Sequence, residues 1–140
     1  MKIPKIPCII EAKCEVNPSE DVSKVQQAVS NVILDAEFNS QAGTIKAASK
    51  NLESLSKIYQ VIRNKKTQRA FRRQIRRNLD EDSSWFYLNK QAAFVNVIAL
   101  CEESDESPLG PIKVKIKSKN IDQIVEWLVG LEESIREKEF

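Results

Sequence analysis

The sequence predicts an α+β fold: a single domain over residues 1–140, with a mostly antiparallel sheet and helices packed on one face. Three observations carry this. Several short segments alternate apolar and polar residues with the period of two that a half-buried strand requires. Others repeat apolar residues every three or four positions, behind residues that cap helices. In chain order these segments run β-α-β-β-α-α-β-β-β-α, a pattern of strand groups and helix groups.

The first strand is expected over residues 8–16. Cys8, Ile10, Ala12, Cys14 and Val16 point one way; Ile9, Glu11, Lys13 and Glu15 point the other. Asn17-Pro18-Ser19-Glu20 reads as a helix start, with Asn17 as cap, Pro18 at the first helical position and Glu20 closing a capping box. Val22, Val25, Val29, Val32 and Ile33 supply that helix's inner stripe, and it should stop near Leu34. Residues 36–41 and 44–48 form a short hairpin around Gly43. Residues 51–63 are helical, with Leu52, Leu55, Ile58, Tyr59 and Ile62 inward. After a break at 64–67, a second helix starts at Lys66 or Thr67 and runs to about Leu79.

Asp80 to Ser84 is a polar turn, and residues 85–89 alternate as a strand. Residues 94–101 read as a mostly apolar strand interrupted by Asn96, and 90–93 fit either turn or helix. An acidic loop at 102–111 leads to the last strand, where Ile112, Val114 and Ile116 alternate with Lys113, Lys115 and Lys117. Asn120-Ile121-Asp122-Gln123 reads as a second capping box. The helix behind it buries Ile121, Ile124, Val125, Leu128, Leu131 and Ile135.

Composition narrows the function. With 41% hydrophobic and 30% charged residues the chain is an ordinary if charge-rich globular domain. At 140 residues it can bury roughly two-thirds of its unfolded surface. No apolar run approaches the ~20 residues of a membrane span. Pro4, Lys5 and Pro7 interrupt the N-terminal apolar pieces, so no secretory signal is read and a cytoplasmic location is expected.

Cys8, Cys14 and Cys101 are odd in number, lack a Cys-x-x-Cys spacing, and read as reduced, buried thiols. The chain has no histidine, which excludes a Ser-His or Cys-His nucleophile pair and removes the commonest zinc ligand. Its 3 glycines, at 43, 110 and 130, make no phosphate-cradling loop. Glu102, Glu103, Asp105 and Glu106 lack the order of a calcium loop and read as a solvated stretch. The expectation is a protein without catalysis, cofactor or metal.

The strongest chemical signal is a basic run. Between Glu53 and Asp80 there is no acidic residue, while Lys57, Arg63, Lys65, Lys66, Arg69, Arg72, Arg73, Arg76 and Arg77 are all basic. The remaining chain holds 13 basic against 20 acidic residues, so a net charge of +2 divides into +9 here and −7 elsewhere. At about 100° per residue, Phe71, Ile75 and Leu79 face inward while Arg69, Arg73, Arg76 and Arg77 gather opposite, with Arg72 at the flank. A planar guanidinium bonds phosphate bidentately, and this density of like charge is relieved by a polyanion.

The helix is therefore expected to bind RNA, with Arg69, Arg73, Arg76 and Arg77 on phosphates and Arg63, Lys65, Lys66 and Arg72 extending the footprint. Two other uses of the same residues stand beside it. One is a solvated face paired with neighbouring acids. The other is a protein–protein or homodimer module whose basic helix docks on an acidic surface.

Smaller signals lie in the strands. Lys113, Lys115 and Lys117 share one face, where they pair with acids such as Glu11 and Glu15 or, if the face is open, extend the cationic surface. Trp85 and Tyr87 share a face too, suited to packing or to stacking on unpaired bases. Asn89 and Lys90, polar residues at a strand end, suit either RNA contact or the fixing of a turn.

Two phrases are more specific. They are Phe86-Tyr87-Leu88-Asn89-Lys90-Gln91-Ala92-Ala93-Phe94 and Ser107-Pro108-Leu109-Gly110-Pro111-Ile112, separated by the acidic spacer. With Val16-Asn17-Pro18-Ser19-Glu20-Asp21 and the Arg-rich helix, they resemble an uncharacterised archaeal family whose domain carries an RNA-binding label. The resemblance covers most of the chain. It implies a fold similar to that of the ribosomal protein that holds the small ribosomal RNA of the large subunit, and ribosomal or transfer RNA as the class of target.

Overall fold

A computed structural model describes residues 3–103, 106–107 and 109–130. Its six strands are β1 (Ile9–Glu15), β2 (Glu37–Gln41), β3 (Thr44–Ser49), β4 (Ser83–Leu88), β5 (Leu100–Cys101) and β6 (Ile112–Lys117). They form one sheet in the order β2-β3-β1-β6-β4-β5, and every neighbouring pair is antiparallel. The helices are α1 (Val22–Val32), α2 (Ser56–Ile62), α3 (Lys65–Arg77), α4 (Lys90–Phe94) and α5 (Ile121–Val129), with a 3-10 turn at Leu52–Leu55 before α2. The α+β class and the antiparallel sheet match the expectation.

The period of two decides which face is dry. In β1, Ile10, Ala12 and Cys14 are buried, and in β6 so are Ile112, Val114 and Ile116. Register carries that face into Ile45 and Ala47 of β3 and Phe86 and Leu88 of β4. Against it lie Val25 and Val29 of α1, Ile58 and Ile62 of α2, Phe71 and Ile75 of α3, and Ile124 and Leu128 of α5. Phe71 meets Phe86 edge to face, with ring centroids 5.8 Å apart.

Local boundaries depart from the sequence reading in three places. Asp21, not Asn17, caps α1, its carboxylate accepting from Ser23 N at 2.9 Å. Glu20 does bond Asn17, accepting from its backbone N at 2.9 Å and its Nδ2 at 3.0 Å, but these bonds close a turn ahead of the helix.

The apolar run at 94–101 is mostly not strand. Asn89 accepts from Ala92 N at 2.8 Å and starts α4 at Lys90, and Asn96 then takes a left-handed φ of 64°. Phe94, Val95 and Val97 are exposed and, of residues 94–99, only Ile98 is buried, so no alternating dry face holds the run in the sheet, and only Leu100 and Cys101 pair with β4.

At α5 the Asn120 side chain makes no capping bond. The helix ends at Val129 with Gly130 at φ 87°, while the predicted inner residues Leu131 and Ile135 lie outside the described residues. No helix among the described residues is long and apolar enough to cross a membrane.

Candidate nucleic-acid interface

Helix α3 is the best-defined cationic element. Asn64 caps it, accepting from Lys66 N at 2.9 Å. Around its axis four sides have four tasks. Phe71 and Ile75 enter the core. One step round, Gln74 and Asn78 run along β4, Gln74 bridging it to the end of β5 and Asn78 lying beyond that end. Gln74 accepts from Tyr87 N and donates to Cys101 O, both at 2.9 Å, and Asn78 Nδ2 donates to Trp85 O at 3.0 Å. Side-chain amides thus complete a sheet edge that would otherwise present bare backbone.

The third side meets the end of α5. Arg72 donates from Nε and Nη2 to Val129 O, at 3.1 and 2.9 Å, and Gln68 adds a bond to the same carbonyl at 3.2 Å. Arg76 Nη2 donates to Gly130 O at 3.2 Å, and Arg63, at the end of α2, donates to Leu128 O. Arg63 also lies 4.3 Å over the Tyr59 ring, whose other neighbour is Trp127 at 4.8 Å. The last carbonyls of α5 carry the negative end of its dipole and have no partner inside the helix, so cationic donors suit them.

The fourth side is open. Lys66, Arg69, Arg73 and Arg77 are exposed there, spaced by three, four and four residues. Arg73 Nη2 meets Glu102 Oε1 at 2.7 Å, with side chains 59% and 53% exposed, a surface pair that water and salt readily loosen.

Two sequence expectations need correction. Arg72, placed at the flank of the comb, is only 7% exposed, because its fork fits the α5 end better than solvent. Lys90, read as an RNA contact, is 3% exposed. Its Nζ bonds Glu20 Oε1 at 3.0 Å, Glu15 O at 2.9 Å and Leu109 O at 2.7 Å, which uses all three ammonium protons. Burial pushes the Glu20 carboxyl up. The bonds from Asn17 and from Lys90 outweigh it and hold the group below its ordinary range. Asn89 is committed to capping α4. Lys65 begins α3, and its side chain lies outside the description.

The face of the sheet opposite the helices is also cationic, and its extent was not read from the sequence. Register sets Lys46 of β3, Lys13 of β1 and Lys113 of β6 side by side across three strands, with Tyr87 of β4 next in the row. The adjacent row runs Ala48, Glu11, Lys115, Trp85. Lys113 thus faces Lys13 rather than an acid, and among the described residues Glu11 and Glu15 form no ion pair. Alternation in β1 and β3 puts Lys13 and Lys46 on the outer face, but only the pairing register aligns them.

Similar proteins share both sequence and fold. The family model described as RNA binding matches residues 9–118. A UPF0201 protein of Metallosphaera sedula is 35% identical over 122 residues, 85% of each chain. One of Sulfurisphaera tokodaii is 39% identical over 118 residues, 81% of each chain. The crystal structure of an uncharacterised UPF0201 protein superposes with a TM-score of 0.74 at 27% identity, covering 88% of this chain and 94% of that one. A UPF0201 structure from Methanococcus jannaschii shares the fold, with a TM-score of 0.71 over 88% of this chain and 93% of that one. On matches that span most of its length, the chain belongs to the archaeal UPF0201 family, with the family model described as RNA binding.

Proposed function

We propose that the protein binds structured RNA by holding backbone phosphates on the open side of α3, without catalysing a reaction. Lys66, Arg69, Arg73 and Arg77 make the contacts, with Arg63 and Arg76 at the border and Lys65 at the helix start. The observation that carries this reading is the division of labour in α3. Two of its arginines are used by the fold, whereas Lys66, Arg69 and Arg77 stand in solvent on the side turned from the core, with Arg73 loosely paired. A stripe of four cations along three helical turns spans about 16 Å at 1.5 Å per residue, the scale of a few successive phosphates. Such contacts position an RNA without reading its sequence. Ribosomal and transfer RNA are the first targets to test.

The test is binding of nuclease-treated protein to fluorescent transfer RNA and to small ribosomal RNA across a salt series. The variant Arg69→Glu/Arg73→Glu/Arg77→Glu, checked for folding by circular dichroism, runs beside it. Affinity should fall with salt by a slope near 3–4 for four phosphates and drop at least about 100-fold in the variant. Equal, weak binding by the two proteins overturns the reading. Salt-sensitive self-association lost in the variant, without RNA affinity, assigns the helix to a homodimer instead.

A further inference from the structure

We infer that the open face of the sheet is a second nucleic-acid surface, one that takes unpaired nucleotides: phosphates on the Lys46–Lys13–Lys113 row and bases on Trp85 and Tyr87. The inference rests on RNA being the ligand, but not on α3 being the site that holds it.

Three features of the face point there. First, lysines directly opposite in antiparallel strands repel, and this face sets three in one row. Lys115 and Lys117 add to it on β6. Glu11 and Glu15 share the face, yet neither is drawn into an ion pair among the described residues. A row of like charges with no acid in it is complementary to a phosphate backbone, and strands about 4.8 Å apart bring the ammonium groups within reach of adjacent phosphates.

Second, aromatic rings border the cations. Trp85 and Tyr87 are half-buried, their rings edge to face at 5.1 Å, and the Lys113 ammonium lies 4.6 Å from the Trp85 ring centre. Leaving the ring for a phosphate would let a base take its place, so ring and cation are both used. Stacking needs a base with a free π-face, which a duplex does not offer. An acidic protein would use the lysines and leave the aromatics without a role.

Third, α3 borders the strand that carries the two aromatic rings. Gln74 and Asn78 bond the edge of β4 at Tyr87 and Trp85, and Arg73 and Arg77, the residues before them, lie one step round the helix on its solvent side. A structured RNA gripped by α3 could lay a single-stranded extension across the sheet.

The test uses the full chain with Trp127→Phe, leaving Trp85 as the sole tryptophan. Fluorescence is followed as an unstructured 12-nucleotide RNA or a blunt RNA duplex is added. The single strand should quench Trp85. Its affinity should fall about 10-fold or more in Trp85→Ala and in Lys13→Glu/Lys113→Glu, with a salt slope near 2 from three lysines. Duplex binding should be unaffected by those variants and lost in the α3 triple variant.

If the duplex binds but the single strand neither quenches Trp85 nor feels the sheet variants, this inference fails and the α3 reading survives. If the single strand depends on the sheet while α3 charge reversal changes nothing, the α3 reading fails and this one survives. Competition by polyglutamate as strong as by RNA, with Trp85 unmoved, also overturns it, marking a merely cationic surface.

Discussion

Arg72 reaches across from α3 to close α5, its Nε and Nη2 both donating to the carbonyl of Val129, 57 positions along the chain. An arginine that looks like surface chemistry in the sequence is therefore a piece of the fold. Charged hydrogen bonds are worth about 1.5–3 kcal/mol, and truncation would also strand a helix-end carbonyl. Arg72→Ala should lower the unfolding free energy by about 2–3 kcal/mol, and Arg69→Ala, on the open side, by no more than about 0.5 kcal/mol. Urea unfolding of the two variants checks this. Equal effects would return Arg72 to the surface.

Buried Lys90 and partly buried Glu20 form an ion pair, their side chains 4% and 12% exposed. Removing one charge strands the other, so Glu20→Gln should cost about 3 kcal/mol at pH 7. The folded protein holds the Glu20 carboxyl below its ordinary value, so the unfolded chain takes up that proton first as pH falls. The stabilisation is complete above the unfolded value, near about 4.3, and disappears as pH drops through the folded one. The gap between wild type and Glu20→Gln should therefore narrow steadily below about pH 4. Denaturant titrations at closely spaced pH settle it, and a gap constant with pH would remove Glu20 from the acid response.

How far the fold could be read depended on the range of the interactions. Alternation in β1 and β6 and the Phe71/Ile75 stripe of α3 are local, and they came out as expected. Arg72 and Lys90 were misplaced because their acceptors, Val129 O and Glu15 O, lie 57 and 75 positions away and leave no local mark. The 94–101 run misled because hydrophobicity alone does not distinguish a strand from a helix followed by exposed valines. The cue was Asn89, a capping residue before Lys90. The Lys46–Lys13–Lys113 row was invisible for a different reason: it is a property of register, which no single strand encodes.

Gln74 is 2% exposed, and its amide bonds both Tyr87 N and Cys101 O. Gln74→Leu keeps the bulk but orphans two backbone groups at the β4 edge, each costing about 1–3 kcal/mol. Stability should fall by about 2–4 kcal/mol, with faster hydrogen exchange at the Tyr87 amide than at Phe86. Unchanged exchange at Tyr87 would mean β5 alone protects that edge.

Cys14 gives a probe of the same region. It is buried on β1, and burial pushes its thiol up to about 11, with the positive charge of Lys90 pulling it down and Glu20 and Glu15 adding to the rise. At pH 8 only about one thiol in a thousand is ionised, and a disulfide reagent cannot reach it without local opening. In the variant Cys8→Ser/Cys101→Ser, Cys14 should react at least about 100-fold slower in the native protein than in urea. Lys90→Met then separates two causes. Losing the ammonium raises the thiol further and, by that route, slows the reaction. Losing the clasp that ties β1 to the loop at Leu109 lets β1 open and speeds it. Faster labelling in Lys90→Met means that the Lys90–Glu20 clasp controls access to Cys14. Slower labelling means that Lys90 acts on the thiol through its charge alone and that the clasp does not limit opening.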